Sequence, residues 1–105
     1  MLMFVVTNRI PIAKDFREEF EQRFKNRAGQ IDKQPGFVRM EILRPLTDDG
    51  CYCVSVVWED EAAFKNWVKS EDFAIAHRNP MSKEAYAGEA KMETHERIIV
   101  AEKGA

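Results

Sequence analysis

Hydrophobic and polar residues follow two different periods along the chain, and each period predicts one kind of element. Alternation with a period of two residues is typical of strands, whereas apolar residues three or four apart are typical of amphipathic helices. Strand-like runs occupy residues 2–10, 37–44, 51–58 and 92–101. Helical spacing occupies residues 12–28 and 59–78. The pattern therefore predicts the element order β-α-β-β-α-β.

This order is that of the ferredoxin-like α+β fold, an antiparallel four-stranded sheet with both helices on one face. The 105 residues fit one domain that spans 1–105. Strict alternation places Val38 on the helix-covered face. The opposite face has no helix to cover it, yet it is expected to carry Phe37, Leu43, Val57 and Ile99. We therefore predict an obligate homodimer in which two such faces meet.

Local signals indicate where the helices begin and end. The first helix has apolar residues at four-residue spacing, followed by a glycine placed as a left-handed cap: Ile12, Phe16, Phe20, Phe24, Ala28 and Gly29. Ser70 precedes two acidic residues and is typical of a helix N-cap, so the segment 59–78 is predicted to break there. Residues 81–91 are rich in small side chains and are expected to form a flexible loop.

Composition and charge argue against several classes of partner. The net charge is −2, and lysines and arginines are scattered among acidic residues, so nucleic acid is not an expected partner. The apolar start MLMFVV is too short to span a membrane and lacks the features of a secretory signal, which favours a cytoplasmic protein. Cys51 and Cys53 are too close along one strand to pair well and are expected to be reduced thiols.

Three residues of less common types indicate a cleft between the second helical segment and the sheet. On an unbroken helix, Trp67 and His77 would lie within about 80° of each other but roughly 15 Å apart along the axis. A break at Ser70 brings them closer. Asn8 is the polar end of an apolar row on the first strand. Taken singly, these residues are better explained as a core tryptophan, a helix-end histidine and a turn-forming asparagine, and His95 is expected to have no role.

A resemblance to a known family extends this interpretation. Three segments carry it: TNRIPI at residues 7–12, QRFKNRAG at 22–29 and VVWEDEAAFKNWVKSEDFAIAH at 56–77. In these segments the chain resembles the antibiotic biosynthesis monooxygenase superfamily of dimeric α+β barrels. It is most similar to the IsdG-type heme-degrading monooxygenases. The resemblance runs over nearly the whole chain.

The resemblance implies a role for each candidate residue. His77 falls at the position of the proximal ligand of the heme iron, and Trp67 at that of a bulky residue that pushes the porphyrin out of plane. Asn8 falls at the position of an amide that donates toward oxygen on the distal side, and Phe24 at a position in the pocket wall. Because only a neutral imidazole binds iron, heme binding is expected to weaken as the pH falls.

The implied activity is opening of the porphyrin by O2 with release of iron. Heme would then be both the substrate and the group that activates oxygen, and an external donor would supply electrons, because no flavin or nicotinamide motif appears. Two alternatives stay open. One is an oxygenase of an aromatic or quinol substrate that needs no cofactor, in which His77 is incidental. The other is a non-enzymatic heme-binding protein, which is consistent with the departure of residues 78–93 from the family pattern.

Overall fold

The computed structural model, which describes residues 2–27 and 30–104, confirms the α+β order predicted from the sequence. The strands are β1 (Met3–Ile10), β2 (Phe37–Leu43), β3 (Tyr52–Trp58) and β4 (Lys91–Arg97). The α-helices described are α1 (Arg17–Arg27), α2 (Glu61–Lys69) and α3 (Glu71–Ala76). Short 3-10 turns lie at Lys14–Phe16, Ile31–Lys33 and Lys83–Ala85. None of the helices in this described part is long and apolar enough to cross a membrane.

The four strands form one antiparallel sheet in the order β2-β3-β1-β4. β1 is therefore an inner strand with a partner on each side. Its residue Asn8 lies opposite Val54 of β3 and Met92 of β4. This arrangement is the ferredoxin-like one, and it places Asn8 in the middle of the sheet rather than at a free edge.

The helices cover one face of the sheet and bury most of the apolar side chains there. Trp58 and Tyr52 are the largest fully buried side chains described. The core cluster joins strand residues to residues of both helical segments: Val6, Ile12, Phe20, Tyr52, Val54, Val56, Trp58, Ala63, Trp67, Met81 and Ala85. From α1 and α2, Phe20, Ala63 and Trp67 are buried in this core, and burial of such apolar surface stabilises the fold.

A β-bulge at the start of β2 makes one prediction from strict alternation wrong. Phe37 pairs with Trp58 but the next pair is Arg39 with Val57, so Val38 is an extra residue in the ladder. Phe37 therefore packs on the core face, edge-on to Trp58 with ring centroids 5.8 Å apart. Val38 is 42% exposed. The predicted faces of these two residues are reversed because one inserted residue shifts the period.

Residues 81–91, which were expected to form a flexible loop, are instead anchored to the start of the first helical region. Met81 and Ala85 are buried. The Ala13 N–H donates to the Ala85 carbonyl (2.7 Å), and the Ala87 N–H donates to the Pro11 carbonyl (2.9 Å). The expectation failed because these anchors are backbone bonds between distant parts of the chain, which composition does not reveal.

Several element boundaries also differ by one to four residues from those predicted. The first helical region starts at Lys14, because Ile12 forms an isolated β-bridge with Tyr86. β4 ends at Arg97, and the apolar run at residues 98–100 that follows is exposed. Ala28 and Gly29, predicted as the end of the helical stripe and its cap, lie outside the described residues.

A charged cluster ties α1 to the β2–β3 hairpin. The Tyr52 hydroxyl donates to Glu21 Oε2, and Arg44 donates through Nε and Nη2 to the two carboxylate oxygens of Glu21. The hydrogen bonds from Arg44, and next those from Tyr52, lower the pKa of the Glu21 carboxyl from 4.5 to about 2. The cluster therefore favours the ionised form of Glu21 in the folded protein.

This cluster predicts an acid-sensitive contribution to stability. Because the carboxyl titrates lower when folded, the stabilisation is complete above pH 4.5 and is lost as the pH falls toward about 2. We expect Glu21→Gln to lower the free energy of unfolding near neutral pH by about 1 kcal/mol, since solvent screens the Arg44 side of the pair. The variant should also lose less stability than the parent between pH 4.5 and 2.

Urea unfolding followed by circular dichroism across this pH range measures both effects. Glu18→Gln, which removes an exposed carboxylate from the same helix, is the matched control and should leave the pH dependence unchanged. Equal pH dependence in Glu21→Gln and in the parent would contradict the prediction.

Candidate functional site

A cleft of about 650 Å³ lies between the helix-covered face of the sheet and the helices. This volume is within the range of small-molecule and cofactor sites. Its walls are mainly apolar, and seven Phe, Tyr and Trp side chains contribute to them: Phe20, Phe24, Trp58, Phe64, Trp67, Phe73 and Tyr86. All four residues singled out from the sequence line this one cleft: Asn8, Phe24, Trp67 and His77.

Ser70 is the residue that brings Trp67 and His77 to the same cleft. Its hydroxyl donates to the Trp67 carbonyl (2.6 Å), which closes α2, and accepts from the Phe73 N–H (3.1 Å), which opens α3. Its backbone is extended, with φ −78° and ψ 157°. The predicted break at Ser70 is thus confirmed, and the two helices join there without an intervening loop.

Phe73 makes a continuous aromatic row with the two predicted residues. Its ring meets Trp67 edge-on, with centroids 5.4 Å apart and planes at 79°. Its other neighbour is the His77 imidazole, which stacks on it at 4.1 Å and 28°. The sequence did not lead us to single out Phe73 as a site residue. Its spacing of four residues from His77, which places the two on one side of a helix, was the signal that could have identified it.

The His77 imidazole is held through Nδ1, and its Nε2 makes no hydrogen bond to any described residue. His77 is exposed and follows the last residue of α3. Its Nδ1 lies 2.8 Å from the Phe73 carbonyl oxygen. Because a carbonyl oxygen only accepts, this contact assigns the proton of the neutral imidazole to Nδ1, which leaves the lone pair on Nε2. A histidine whose second nitrogen donates to a backbone carbonyl is the usual arrangement of a metal-binding imidazole.

Asn8 offers a second unpaired polar group on the opposite wall. It is half-buried on β1, and its two cross-strand neighbours, Val54 and Met92, also line the cleft. Its amide makes no hydrogen bond to any group in the described part of the chain. Both N–H groups and the oxygen are therefore available to a bound molecule.

Three cations from α1 and α2 also line the cleft: Arg23, Lys65 and Lys69. Arg23 and Lys65 are paired with Glu19 and Glu61, whereas Lys69 has no ion-pair partner in the part of the chain that the structure describes. His77 contributes one nitrogen, so a metal held there would take most of its ligands from the molecule that carries it, as heme does. The arrangement is therefore suited to a large, flat, mainly apolar molecule with anionic groups at its edge and a metal at its centre.

Comparison with known proteins identifies relatives of this chain. The family profile described as antibiotic biosynthesis monooxygenase matches residues 3–79. The staphylobilin-producing heme oxygenase of Staphylococcus haemolyticus is 40% identical over 80 residues, which cover 73% of this chain and 75% of the relative. The sequence likeness therefore extends through the strands and helices that form the cleft up to His77.

Solved structures extend the likeness to nearly the whole chain. MhuD, a heme-degrader from Mycobacterium tuberculosis with two hemes bound in its active site, has a TM-score of 0.78 and 28% identity, covering 94% of this chain and 99% of that one. A variant of SnoaB, a cofactor-independent oxygenase from Streptomyces nogalater, has a TM-score of 0.74 and 25% identity, covering 96% and 98%. The same fold thus serves both kinds of oxygenase.

The junction at Ser70 generates a prediction about local stability. Ser70→Ala removes the cap of α3 and one bond to the end of α2, and we expect it to lower the free energy of unfolding by about 1 kcal/mol. Ser70→Thr keeps the hydroxyl and should lose much less. Hydrogen exchange of the amides at residues 71–77 should accelerate in the alanine variant and stay near the parent rate in the threonine variant. Equal exchange in all three proteins would mean that the hydroxyl does not hold this junction.

Proposed function

The chain belongs to the antibiotic biosynthesis monooxygenase family, and from this premise we propose that it is a heme-degrading monooxygenase. It would use O2 and electrons from an external donor to open the porphyrin and free the iron. The observation that carries the proposal is the free Nε2 of His77 in an aromatic-walled cleft. The heme oxygenase from Staphylococcus and heme-degrading MhuD support the substrate class.

In this proposal His77 holds the substrate through its iron. Heme, when bound, supplies the oxygen-activating chemistry. In the neutral imidazole, the Phe73 carbonyl favours the proton on Nδ1, so Nε2 would be the nitrogen that binds the iron. The Phe73 ring, stacked on the imidazole, restricts its rotation. Protons compete with iron for Nε2, so heme affinity should fall in acid.

The remaining candidate residues act on the macrocycle. Trp67 is only 6% exposed and packs against Trp58 and Phe73, so its ring is rigid enough to press on a porphyrin. Asn8 belongs to the sheet wall, whereas His77 belongs to the helix wall, so a plate between them would have one on each face. The free amide of Asn8 would then donate to a polar atom on the side away from His77. Phe24 would close the wall.

A second candidate function shares the cleft but not the iron. The likeness to SnoaB supports a cofactor-independent oxygenase of an aromatic or quinol substrate. Such a substrate would stack on the aromatic wall and bond to Asn8, with no need of His77. The two functions therefore differ in whether binding and turnover of the substrate require the His77 imidazole.

We predict that the purified protein binds hemin and degrades it when ascorbate and O2 are added. Catalase is present throughout to exclude bleaching by free peroxide. Loss of the Soret band, with iron appearing in a chelator, is the expected result. His77→Ala should weaken hemin binding about tenfold or more, the scale on which even indirect supports of a metal ligand act. His95→Ala, which changes the other histidine on exposed β4, should behave as the parent.

Other outcomes separate the alternatives. A tight hemin complex that stays intact under several reductants would identify a heme-binding protein without turnover. Unchanged ligand binding and turnover of a quinol in His77→Ala would favour the cofactor-independent oxygenase. Either result would overturn heme degradation as the function.

The protein is further proposed to be a homodimer joined through the sheet face that has no helices. Among the apolar residues of this face, Leu43 is 50% exposed and Val5 is half-buried, whereas Val57 is already buried within the chain. On the same face, Arg9 of β1 forms an ion pair with Glu93 of β4, and its Nη1 lies 3.8 Å from the sulfur of Cys53 on β3. Just beyond β4, residues 98–100 expose an isoleucine pair and a valine, with Ile99 81% exposed. Burial of this run against a second copy would remove it from water.

Sedimentation at micromolar concentration tests this assembly. We expect a dimer whose interface buries about 2,000 Å² or more in total. Ile99→Asp, which puts a charge in the exposed run, should shift the protein toward monomer, whereas Lys103→Asp in the exposed tail should not. A folded parent that sediments as a monomer would contradict the proposal.

A further inference from the structure

The helix that carries His77 at its end has few anchors of its own. α3 has six residues and none of them is buried. Ser70 caps it, and Phe73 and Ala76 pack half-buried against the core. In the described residues, two side-chain hydrogen bonds also reach this region from elements outside α2 and α3. Gln34 Nε2 donates to Asp72 Oδ2 (2.9 Å) at the start of α3. Arg23 Nη1 donates to the Asn79 carbonyl (2.5 Å), two residues beyond His77.

Arg23 is suited to this contact by its own surroundings on α1. Its Nε donates to Glu19 Oε2 at 3.2 Å, one helical turn earlier. The planar guanidinium can donate from Nε and Nη1 at once in fixed directions, which a lysine ammonium cannot reproduce. Glu19 therefore aims Arg23 across the rim of the cleft toward Asn79.

The backbone at Asn79 has few other ways to be fixed. Residue 80 is a proline, which has no N–H to donate, and a residue before proline is kept out of the helical region. His77 and Arg78 complete the end of α3 through bonds to the Phe73 and Ile75 carbonyls (3.1 and 3.3 Å). The bond from Arg23 thus joins the segment just after His77 to a different helix.

We propose that Arg23 is a positioning residue for His77. By holding the Asn79 carbonyl, it fixes where α3 ends and so the direction in which Nε2 points into the cleft. The inference rests on the proposed function, in which Nε2 binds the iron. Arg23 contacts the backbone two residues beyond His77. Its removal should therefore alter the bond between iron and Nε2 more than the affinity of the cleft for a flat molecule.

The test compares two ligands, hemin and metal-free protoporphyrin, on the full-length protein. Arg23→Gln should weaken hemin binding about tenfold, as loss of a ligand's support usually does. Resonance Raman of the ferrous complex should show a broadened or shifted iron–histidine band. Binding of metal-free protoporphyrin should change less than about twofold, within the range of a minor contact. Lys25→Gln, which removes a positive charge from the same helix, is the matched control and should leave both ligands and the band unchanged.

The outcomes separate this inference from the proposed function. If His77→Ala weakens hemin binding but Arg23→Gln leaves affinity and band as in the parent, positioning by Arg23 is wrong and iron ligation stands. Arg23→Gln could instead weaken binding of hemin and of metal-free protoporphyrin equally, with no such weakening for the esterified forms of the two ligands. That result would identify Arg23 as a contact of their carboxylates and overturn the inference. If His77→Ala itself binds hemin normally, the proposed function fails. Should Arg23→Gln not fold, Arg23→Lys takes its place. We expect it to weaken hemin binding by less than about tenfold and to leave protoporphyrin binding unchanged.

Discussion

The candidate site depends on one hydroxyl group that ends one helix and starts the next. An unbroken helix would separate Trp67 and His77 by about 15 Å along its axis. Ser70 interrupts it without inserting a loop, because its Oγ donates to the carbonyl of Trp67 and accepts from the N–H of Phe73. The aromatic side chain of Phe73 then contacts both the indole and the imidazole. A single capping residue thus lets Trp67, Phe73 and His77 form one continuous wall of the cleft.

The two ends of that wall differ in how firmly they are held. Trp67 is buried on the sheet with Trp58, whereas His77 is exposed at the end of a short helix. Elements with little buried surface open locally at low free-energy cost. A ligand that needs His77 in one orientation must order this end, and every bond already made there reduces that cost. This is why a contact made by α1, far along the chain, matters for the imidazole.

Much of this could be predicted from the sequence, because the relevant signals are local. Periodicity predicted the element order, the serine followed by two acidic residues predicted the break, and Asn8 was placed on the cleft side by alternation. The bulge at Val38 could not be predicted, since one inserted residue reverses the period without a composition signal. The contact of Arg23 with Asn79 was also hidden. Its acceptor is a backbone carbonyl, which every residue possesses.

The function is harder to predict than the fold for a related physical reason. An apolar aromatic cleft stabilises any flat molecule by burial and stacking, whether or not it carries iron, so the shape alone favours neither kind of oxygenase. A coordinate bond is more selective, because it requires a nitrogen lone pair in one place. The proton on Nδ1, held by the Phe73 carbonyl, leaves that lone pair on Nε2. Selectivity for heme would therefore depend on the tautomer of one histidine and not on the architecture around it.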